Sequence, residues 1–428
     1  MARGRRPGDA RLLEPTAGGT AQNVAAQMRD SLTARRPPLW LAAAGLSAGY
    51  TVAFGVVRWV DHFLTQPDVQ DLRLHLIAAR VGLKYGWSHI YEVDLQKEAA
   101  RGLSPPASVI DSMHLFISPP PTAWMLAPLA GQSPAVSYLV WTVISLVAFV
   151  AAGWLLLPGG RLTRVTVLLV SLGLWPVHYG FWDGQTVAGT IALLAVSYWL
   201  LERDRWALSG VAMALAFCLK PQDALLLPLA LLLSGRWRPV AAFAVTGTVI
   251  VATWAAPLGP AGIASWLNDI SIIRSNPYNS PLTYSFIVGH NAAATGLELA
   301  LAFIALGLVW YRRDRLDLVF SLGLVATTMS ASYLHEFDVA ILVVAAWIVM
   351  RTRLSLPMRI WLVAGIPAAQ FIAIGLPIPM LLCQPIWCLR SGWLVARSRP
   401  GGRRCTRSVA GRCFSFWVPY TRTSGSRT

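Results

Sequence analysis

Long apolar runs constrain the fold of this chain more than any other feature. A helix that crosses the hydrocarbon core of a bilayer needs about 20 consecutive apolar residues. Eight runs approach or exceed that length, and three shorter ones lie between them. The longer runs cover 38–57, 134–157, 165–181, 186–201, 239–257, 289–310, 316–333 and 359–382, and the shorter ones cover 206–219, 223–234 and 339–350. The sequence therefore predicts an all-α polytopic membrane protein with about 10–11 transmembrane helices.

The composition supports that fold class. Apolar residues are 55% of the 428 residues, and charged residues are 13%, against roughly 25% in a typical soluble domain. Both values argue against a water-soluble enzyme and against disorder.

The net charge of +16 is concentrated at the two ends of the chain. Residues 1–36 hold seven Arg and three acids, and residues 385–428 hold nine Arg and no acid. The sequence thus predicts a basic cytoplasmic tail (1–36), a nearly neutral transmembrane domain (37–384) and an Arg-rich tail (385–428). Because neither tail interleaves aromatic with basic residues, no nucleic-acid partner is expected. The surrounding lipids are the expected partners.

The distribution of Lys and Arg predicts the orientation. With the basic N-terminus inside, the five short loops 161–164, 203–205, 236–238, 312–315 and 351–359 all fall inside, and they hold twelve basic residues. Unusual polar residues then lie outside, in the segments 58–121, 183–185, 220–223, 258–288 and 335–338. We therefore expect a multi-pass protein of the plasma or inner membrane whose chemistry takes place at the outer face.

The Arg-rich tail conflicts with this topology. If 359–382 is one span, the chain emerges outside and places nine Arg against the positive-inside rule. One hypothesis is that residues 385–428 are an out-of-frame or truncated end that replaces the final spans. In that case the chain is inactive.

Two charged residues, Asp71 and Lys220, are the first candidates for a functional role. Asp71 begins an amphipathic stretch, 71–85, and it either caps that helix or remains available for catalysis. Lys220 lies between two apolar runs, where a lysine either reaches the interface or serves a function. A compact ammonium suits a phosphate partner, and Arg274 in the next outer segment is a weaker candidate for the same role.

The segment His335-Glu336-Phe337-Asp338 also concentrates polar groups. A histidine there can bind phosphate or relay a proton. The adjacent carboxylates leave a divalent metal open, although ligands so close on one turn rarely converge. The sequence has no P-loop, GxSxG or HExxH motif, so cytosolic nucleotide chemistry is unsupported.

Taken in order from Trp40 to Met350, these segments resemble the polyprenyl-phosphate-dependent glycosyltransferases of the GT-C class, and within it the α-mannosyltransferase-like family GT87. The resemblance is carried by Asp71, Ala78-Ala79, Gly82 or Gly86, Tyr91, Ser118-Pro119-Pro120-Pro121, Pro128-Leu129, Gly184-Gln185, Ser209-Gly210 through Lys220-Pro221, and Ser332-Tyr333-Leu334-His335. The chain departs from the family at Ser118, where a Tyr is common.

The resemblance implies a GT-C bundle whose large first outer loop, 58–121, carries the catalytic segment. It implies transfer of a sugar, with mannose expected, from a polyprenyl monophosphate to a hydroxyl on a lipid-linked or glycan acceptor, with inversion and no cofactor. The resemblance implies that Asp71 is the catalytic base and that Lys220, His335 and Arg274 bind the donor phosphate. It also implies that Gln185, Gln222 and Asp183 bind the sugar or the acceptor.

Two alternatives stay open at this stage. A transporter or flippase of lipid-linked sugars would also keep polar residues inside its bundle. The second alternative is an enzyme of another GT-C branch, one that transfers arabinofuranose or that transfers mannose to protein hydroxyls. Such branches usually open with adjacent acids, whereas Asp68 and Asp71 are separated by two residues.

Overall fold

The structure, a computed structural model, describes residues 39–65, 70–101, 116–274, 281–352 and 354–393. No β-strand lies in those ranges, so the predicted all-α polytopic membrane fold is confirmed. The predicted tail 1–36 and residues 394–428 lie outside them, as does Asp68. The helices are α1 (Leu39–Thr65), α2 (Gln70–Tyr85), α3 (Val93–Arg101), α4 (Pro120–Leu126), α5 (Pro134–Leu156), α6 (Arg161–Gly173), α7 (Trp175–Trp182), α8 (Val187–Leu201), α9 (Trp206–Leu219), α10 (Pro221–Ala224), α11 (Leu227–Leu233), α12 (Trp237–Arg274), α13 (Ser285–Val288), α14 (Ala292–Tyr311), α15 (Leu316–Ser330), α16 (Leu342–Met350), α17 (Leu356–Phe371) and α18 (Ile378–Trp393).

Five helices of the described chain are long and apolar enough to cross a bilayer by themselves: α1, α5, α12, which is kinked at Gly259, α14, and α17 with the turn that follows it. The pair α6–α7 reaches that length only as a bent unit. Shorter apolar segments of 10–17 residues cover 187–201, 206–219, 221–233, 316–330 and 338–350. The count of ten or eleven crossings therefore stays a prediction.

Two runs that the sequence predicts as continuous spans are broken, and those predictions are wrong. The run 165–181 bends by 68° between Gly173 and Trp175. Pro176 in the first turn of α7 has no N–H to continue the preceding helix, so the chain restarts in a new direction. The run 359–382 is interrupted at Gly375, whose φ of 74° is left-handed and suits glycine.

The break at Gly375 leads into α18. The start of α18 packs at Met380 with Leu334 and Val339, and the Tyr284 hydroxyl donates to the carbonyl of Leu381 at 2.9 Å. From there α18 continues among the other helices, where Leu381, Trp387 and Cys388 are buried. Residues 394–428 lie outside the described ranges, so the hypothesis of an out-of-frame or truncated end stays a prediction.

The short basic loops meet at one end of the bundle, which we call the arginine end (202–205, 236–238, 312–315 and 351–359). Arg236 donates to the carbonyl of Arg313 at 2.7 Å, and Arg351 pairs with Glu202 at 2.8 Å. Helices α8, α9 and α16 each have one terminus at this end. Their other termini meet at the opposite end of the bundle.

Small residues allow the central helices to approach closely. Ser197 of α8 and Ser209 of α9 share a hydrogen bond of 2.9 Å, and a Cβ added to Gly210 would lie 2.3 Å from the carbonyl oxygen of Pro239 in α12. Such contacts matter in a bilayer because burying apolar surface there gains little, so close packing and hydrogen bonds hold the helices together. This packing fixes the end of α9, where Lys220 lies.

Candidate active site

Six ionisable residues gather at the end of the bundle opposite the arginine end, and we call them the polar cluster. They come from the start of α2, the α7–α8 turn, the α9–α10 junction and the loop after α15. Five of them interact through their side chains, and the sixth, His335, joins them through its backbone N–H. The members are Asp71, Asp183, Lys220, Asp223, His335 and Asp338. Residues separated by more than 250 positions thus share one site.

Asp71 lies in the first turn of α2, the amphipathic helix that the sequence predicts. Because the described helix already includes Gln70, the interpretation of Asp71 as the N-cap is wrong. Leu72 and Leu76 of this helix are buried, and the Leu72 N–H donates to the carbonyl of Asp183 at 3.3 Å. A carboxylate in the first turn also benefits from the positive end of the helix dipole.

His75 lies one turn further along α2. Its Nδ1 is 2.6 Å from the carbonyl oxygen of Asp71, and its ring packs edge-on against Phe116 at 5.4 Å. Burial lowers the pKa of His75, so the neutral imidazole is favoured and its Nδ1–H donates to that carbonyl. This contact fixes the backbone beside Asp71.

Asp183 occupies a tight turn between α7 and α8. Gly184 adopts a φ of 69°, and the Gln185 N–H closes the turn on the carbonyl of Gly180 at 2.9 Å. The Tyr138 hydroxyl of α5 reaches the carbonyls of Phe181 and Trp182, each at 2.9 Å. The turn is therefore held rigidly against α5.

The Asp183 side chain is hydrogen-bonded to the Asp71 side chain. Burial, together with the negative charge of Asp71, raises the pKa of Asp183 well above its ordinary value. The structure thus places Asp183 beside the candidate base, and its predicted role in binding sugar or acceptor stays a prediction.

Lys220 follows α9, which ends there because Pro221 cannot continue it. Its ammonium pairs with the Asp338 carboxylate, and the side chains of Lys220 and Asp338 are only 8% and 0% exposed. The ammonium also lies 4.0 Å from the centre of the Phe337 ring. Lys220 is therefore buried, and it does not extend to the interface as the alternative interpretation supposed.

Asp338 joins Lys220 to the loop that carries His335. One carboxylate oxygen accepts from Lys220, and the other accepts from the His335 N–H at 2.8 Å. The Nε2 of His335 is 2.8 Å from the Tyr333 hydroxyl. The Asp338 carboxylate thus joins the Lys220 ammonium to the backbone of His335.

The neighbouring carboxylate of Glu336 turns away from Asp338 and accepts from the indole N–H of Trp175. This divergence removes the local geometry on which the metal interpretation of the segment depended. Throughout the described ranges, no group of three or more His, Cys, Asp or Glu side chains could hold a metal ion.

Sequence reasoning missed two members of the cluster as well as Tyr138. The sequence suggests Asp338 only as a metal ligand, and it suggests no role for Asp223. Both oxygens of Asp223 are buried without a hydrogen-bond partner, beside Lys220 and Asp338. Each acid follows a predicted site residue, Lys220 or His335, by three positions, and that spacing was the available signal.

The other predicted site residues are less directly placed. Gln185 is buried in the α7–α8 turn, and Gln222 is half-buried in α10. Arg274 ends α12, and its side chain lies outside the described part of the structure. Their binding roles stay predictions.

An apolar cavity of about 320 Å³ lies beside the segment that follows Asp338, although none of the six residues of the polar cluster lines it. Its lining includes Pro176, which follows the Trp175 that bonds Glu336, and Val339 and Ala340, which follow Asp338. At its far limit it is lined by Met350 and Leu354, close to the arginine end. A charged cluster beside a long apolar cavity suits an amphiphilic ligand with a polar head.

Fold and site together define a polytopic membrane protein with a buried charged centre at one end. The chain belongs to glycosyltransferase family 87, because the model of that family matches residues 116–385, more than half of its length. The predicted family and the glycosyltransferase class are thereby confirmed. No curated protein matches the chain, and no solved structure matches it. The matched segment contains Asp183, Lys220 and His335 and begins after Asp71.

Proposed function

We propose that this protein transfers a sugar, mannose by family resemblance, from a polyprenyl monophosphate to a hydroxyl of a lipid-linked or glycan acceptor at the outer membrane face. The observation that carries the proposal is the meeting of Asp71 with Lys220 in one cluster, to which Asp338 joins the loop that carries His335. Such a transfer needs a base for the acceptor hydroxyl on one side of the anomeric carbon. On the other side it needs positive charge or N–H donors for the departing phosphate.

Asp71 is the proposed general base. As the acceptor oxygen forms its bond to the anomeric carbon, its proton passes to the Asp71 carboxylate. The bond from the anomeric carbon to the donor phosphate breaks on the opposite side, and its electron pair stays on the phosphate oxygen. One such displacement inverts the anomeric centre, so a β-linked donor yields an α-linked product.

Lys220 and His335 are the proposed partners of the departing phosphate. A preorganised site that excludes water strengthens the effect of positive charges and N–H donors. They stabilise the developing charge of the phosphate more strongly there than they would in water. Asp338 accepts from the Lys220 ammonium and from the His335 backbone N–H, and the Tyr333 hydroxyl contacts the His335 ring. Arg274 is a third candidate for this role, and Gln185 and Gln222 are candidates for binding sugar hydroxyls.

The apolar cavity supports a lipid-borne substrate. Its two limits lie near the start and end of the segment 338–350, which spans roughly 20 Å at the rise of a helix. A hydrocarbon chain entering the cavity from the polar cluster would leave its phosphate beside Lys220. The outer-face assignment is supported by the arginine end, which the positive-inside rule places in the cytoplasm.

Exchanging Asp71 for Asn tests the proposal. Purified wild type in lipid nanodiscs is expected to transfer labelled mannose from polyprenyl-phosphate mannose to total lipid acceptors, read by mass. Loss of a general base lowers the rate by about 10²–10⁴-fold, so D71N should lose at least a hundredfold in kcat. D94N is the matched control, because Asp94 also lies in the first turn of a helix but is exposed.

Normal transfer by D71N would contradict the role of Asp71. A wild type that moves lipid-linked sugar between leaflets without making a new glycosidic bond would favour the flippase alternative. The same assay with labelled polyprenyl-phosphate arabinose separates the arabinofuranosyl branch from mannosyl transfer.

A further inference from the structure

The proposed transfer does not use the contact between the Asp71 and Asp183 side chains. Two carboxyl groups within hydrogen-bond distance repel each other when both are ionised, so one proton is retained between them. The pair is also held by the backbone, through the Leu72 N–H on the Asp183 carbonyl. That second link does not depend on the Asp183 side chain.

The surroundings indicate which carboxyl group keeps the proton. Asp71 lies in the first turn of α2, at the positive end of the helix dipole. Asp183 is half-buried in the α7–α8 turn, where desolvation of its carboxyl group and the charge of Asp71 raise its pKa. The other titratable or charged side chains that face the pair are His75 from α2, Tyr138 from α5, Tyr179 from α7, Lys220 from the α9–α10 junction and Tyr333 from the loop after α15.

We propose that Asp183 is a positioning residue for the general base: its protonated carboxyl group donates a hydrogen bond to one oxygen of Asp71 and leaves the other oxygen to take the acceptor proton. This inference rests on the proposed function. After transfer both carboxyl groups hold a proton, and one proton leaves to water before the next turnover. Asp183 itself forms and breaks no bond to the sugar.

The proposal predicts how activity depends on pH. At low pH the pair takes up a second proton, and Asp71 can no longer accept the proton of the acceptor. At high pH the pair loses its shared proton, and the two carboxylates repel each other. The wild type should therefore show a bell-shaped dependence of kcat/KM, in which both limbs include ionisations of the pair.

Three variants separate positioning from mere structural support. D183N keeps an N–H donor without a second charge, so it should lose less than about tenfold in kcat while its alkaline limb moves up by about one pH unit or more. D183A has no donor and should lose about tenfold to a hundredfold in kcat with little change in KM. D94N should match the wild type.

A structural role alone would make D183N and D183A equally poor at every pH, and that result would overturn the proposal. A fall of a hundredfold or more in D183N would also overturn it, because the ionised carboxylate would then be required.

An infrared measurement tests the shared proton without any activity. In nanodiscs at pH 7, the difference spectrum between wild type and D183N should show the loss of one protonated-carboxyl C=O band, whereas D94N should lose only carboxylate absorption. If D183N loses carboxylate absorption instead, the proposal fails. Should the wild type show no sugar transfer, the proposed function fails, and the spectrum still decides whether Asp183 holds the proton.

Discussion

Lys220 and Asp338 form an ion pair from which water is nearly excluded. Two opposite charges stabilise each other strongly in such a place, but each has lost its hydration in order to reach it. The pair as a whole therefore contributes modestly to stability, whereas either charge without the other would be costly. Lys220 has a second use in the proposed chemistry, so its effects on folding and on catalysis have to be measured separately.

A pair of variants separates them. K220M should lower the free energy of unfolding by about 3–5 kcal/mol, because Asp338 is left as a buried charge without its partner. K220M/D338N should recover most of that loss, since the amide is neutral and its oxygen can still accept the His335 N–H. Thermal unfolding in detergent measures both effects.

Sugar transfer is the second measurement on these variants. The double variant should remain inactive, since the cation beside the departing phosphate is absent. A stable and active K220M would contradict both the buried pair and the phosphate role.

At the level of single residues, the sequence indicates which charged residues are candidates for the site, but it does not indicate which side chains they pair with. Asp71, Lys220 and His335 are detectable because charged groups beside apolar runs are costly and need a reason. The pairing of Lys220 with Asp338 joins residues 118 positions apart. Nothing in local spacing carries that information, because it depends on how α9 packs against the loop after α15.

The helices that carry these residues are held by close contacts, and α9 shows how much depends on one glycine. Gly210 faces α12 so closely that an added Cβ would lie 2.6 Å from the Cβ of Ala242 as well as against the Pro239 carbonyl. G210A should therefore push the two helices apart and lower the free energy of unfolding by about 1–3 kcal/mol. Because α9 ends at Lys220, kcat should fall as well.

Gly247 of α12 provides the matched control, because no atom outside its own helix lies within 4 Å of an added Cβ there. G247A should leave the melting temperature unchanged or raise it slightly, since Ala is the better helix former. Equal melting temperatures for G210A and G247A would show that α9 and α12 have room to move.

Among the elements, most helices follow from apolar length, but their interruptions do not. The sequence correctly predicts a helix over most of 134–157 and 289–310, where no proline or turn signal intervenes. It wrongly joins 359–382, because the apolar run is unbroken at Gly375-Leu376-Pro377 and hydropathy alone does not register backbone direction. Proline and glycine inside an apolar run therefore decide between one long helix and two separate ones.

At the scale of the whole molecule, charge is divided between two ends. The arginine end holds basic loops joined to one another, and the polar cluster lies at the opposite termini of the same helices. From this division the positive-inside rule predicts an orientation in which the polar cluster faces outward. Arg390, in the last turn of α18, is a further basic residue at a helix end.

Labelling of single cysteines in a background without the five native ones tests this orientation. Ser332 is exposed in the loop that carries His335, and Asp94 is exposed on α3, which packs against α2. Arg205 and Asp314 are exposed at the arginine end. A membrane-impermeant maleimide added to intact cells should label D94C and S332C, and it should reach R205C and D314C only after permeabilisation. The reverse pattern would place the cluster on the cytoplasmic side and overturn the outer-face proposal, while leaving the proposed transfer chemistry open to the in vitro assay. Equal labelling of all four sites in intact cells would contradict the two-ended arrangement itself, because charges at opposite ends of helices that cross a bilayer cannot share one compartment.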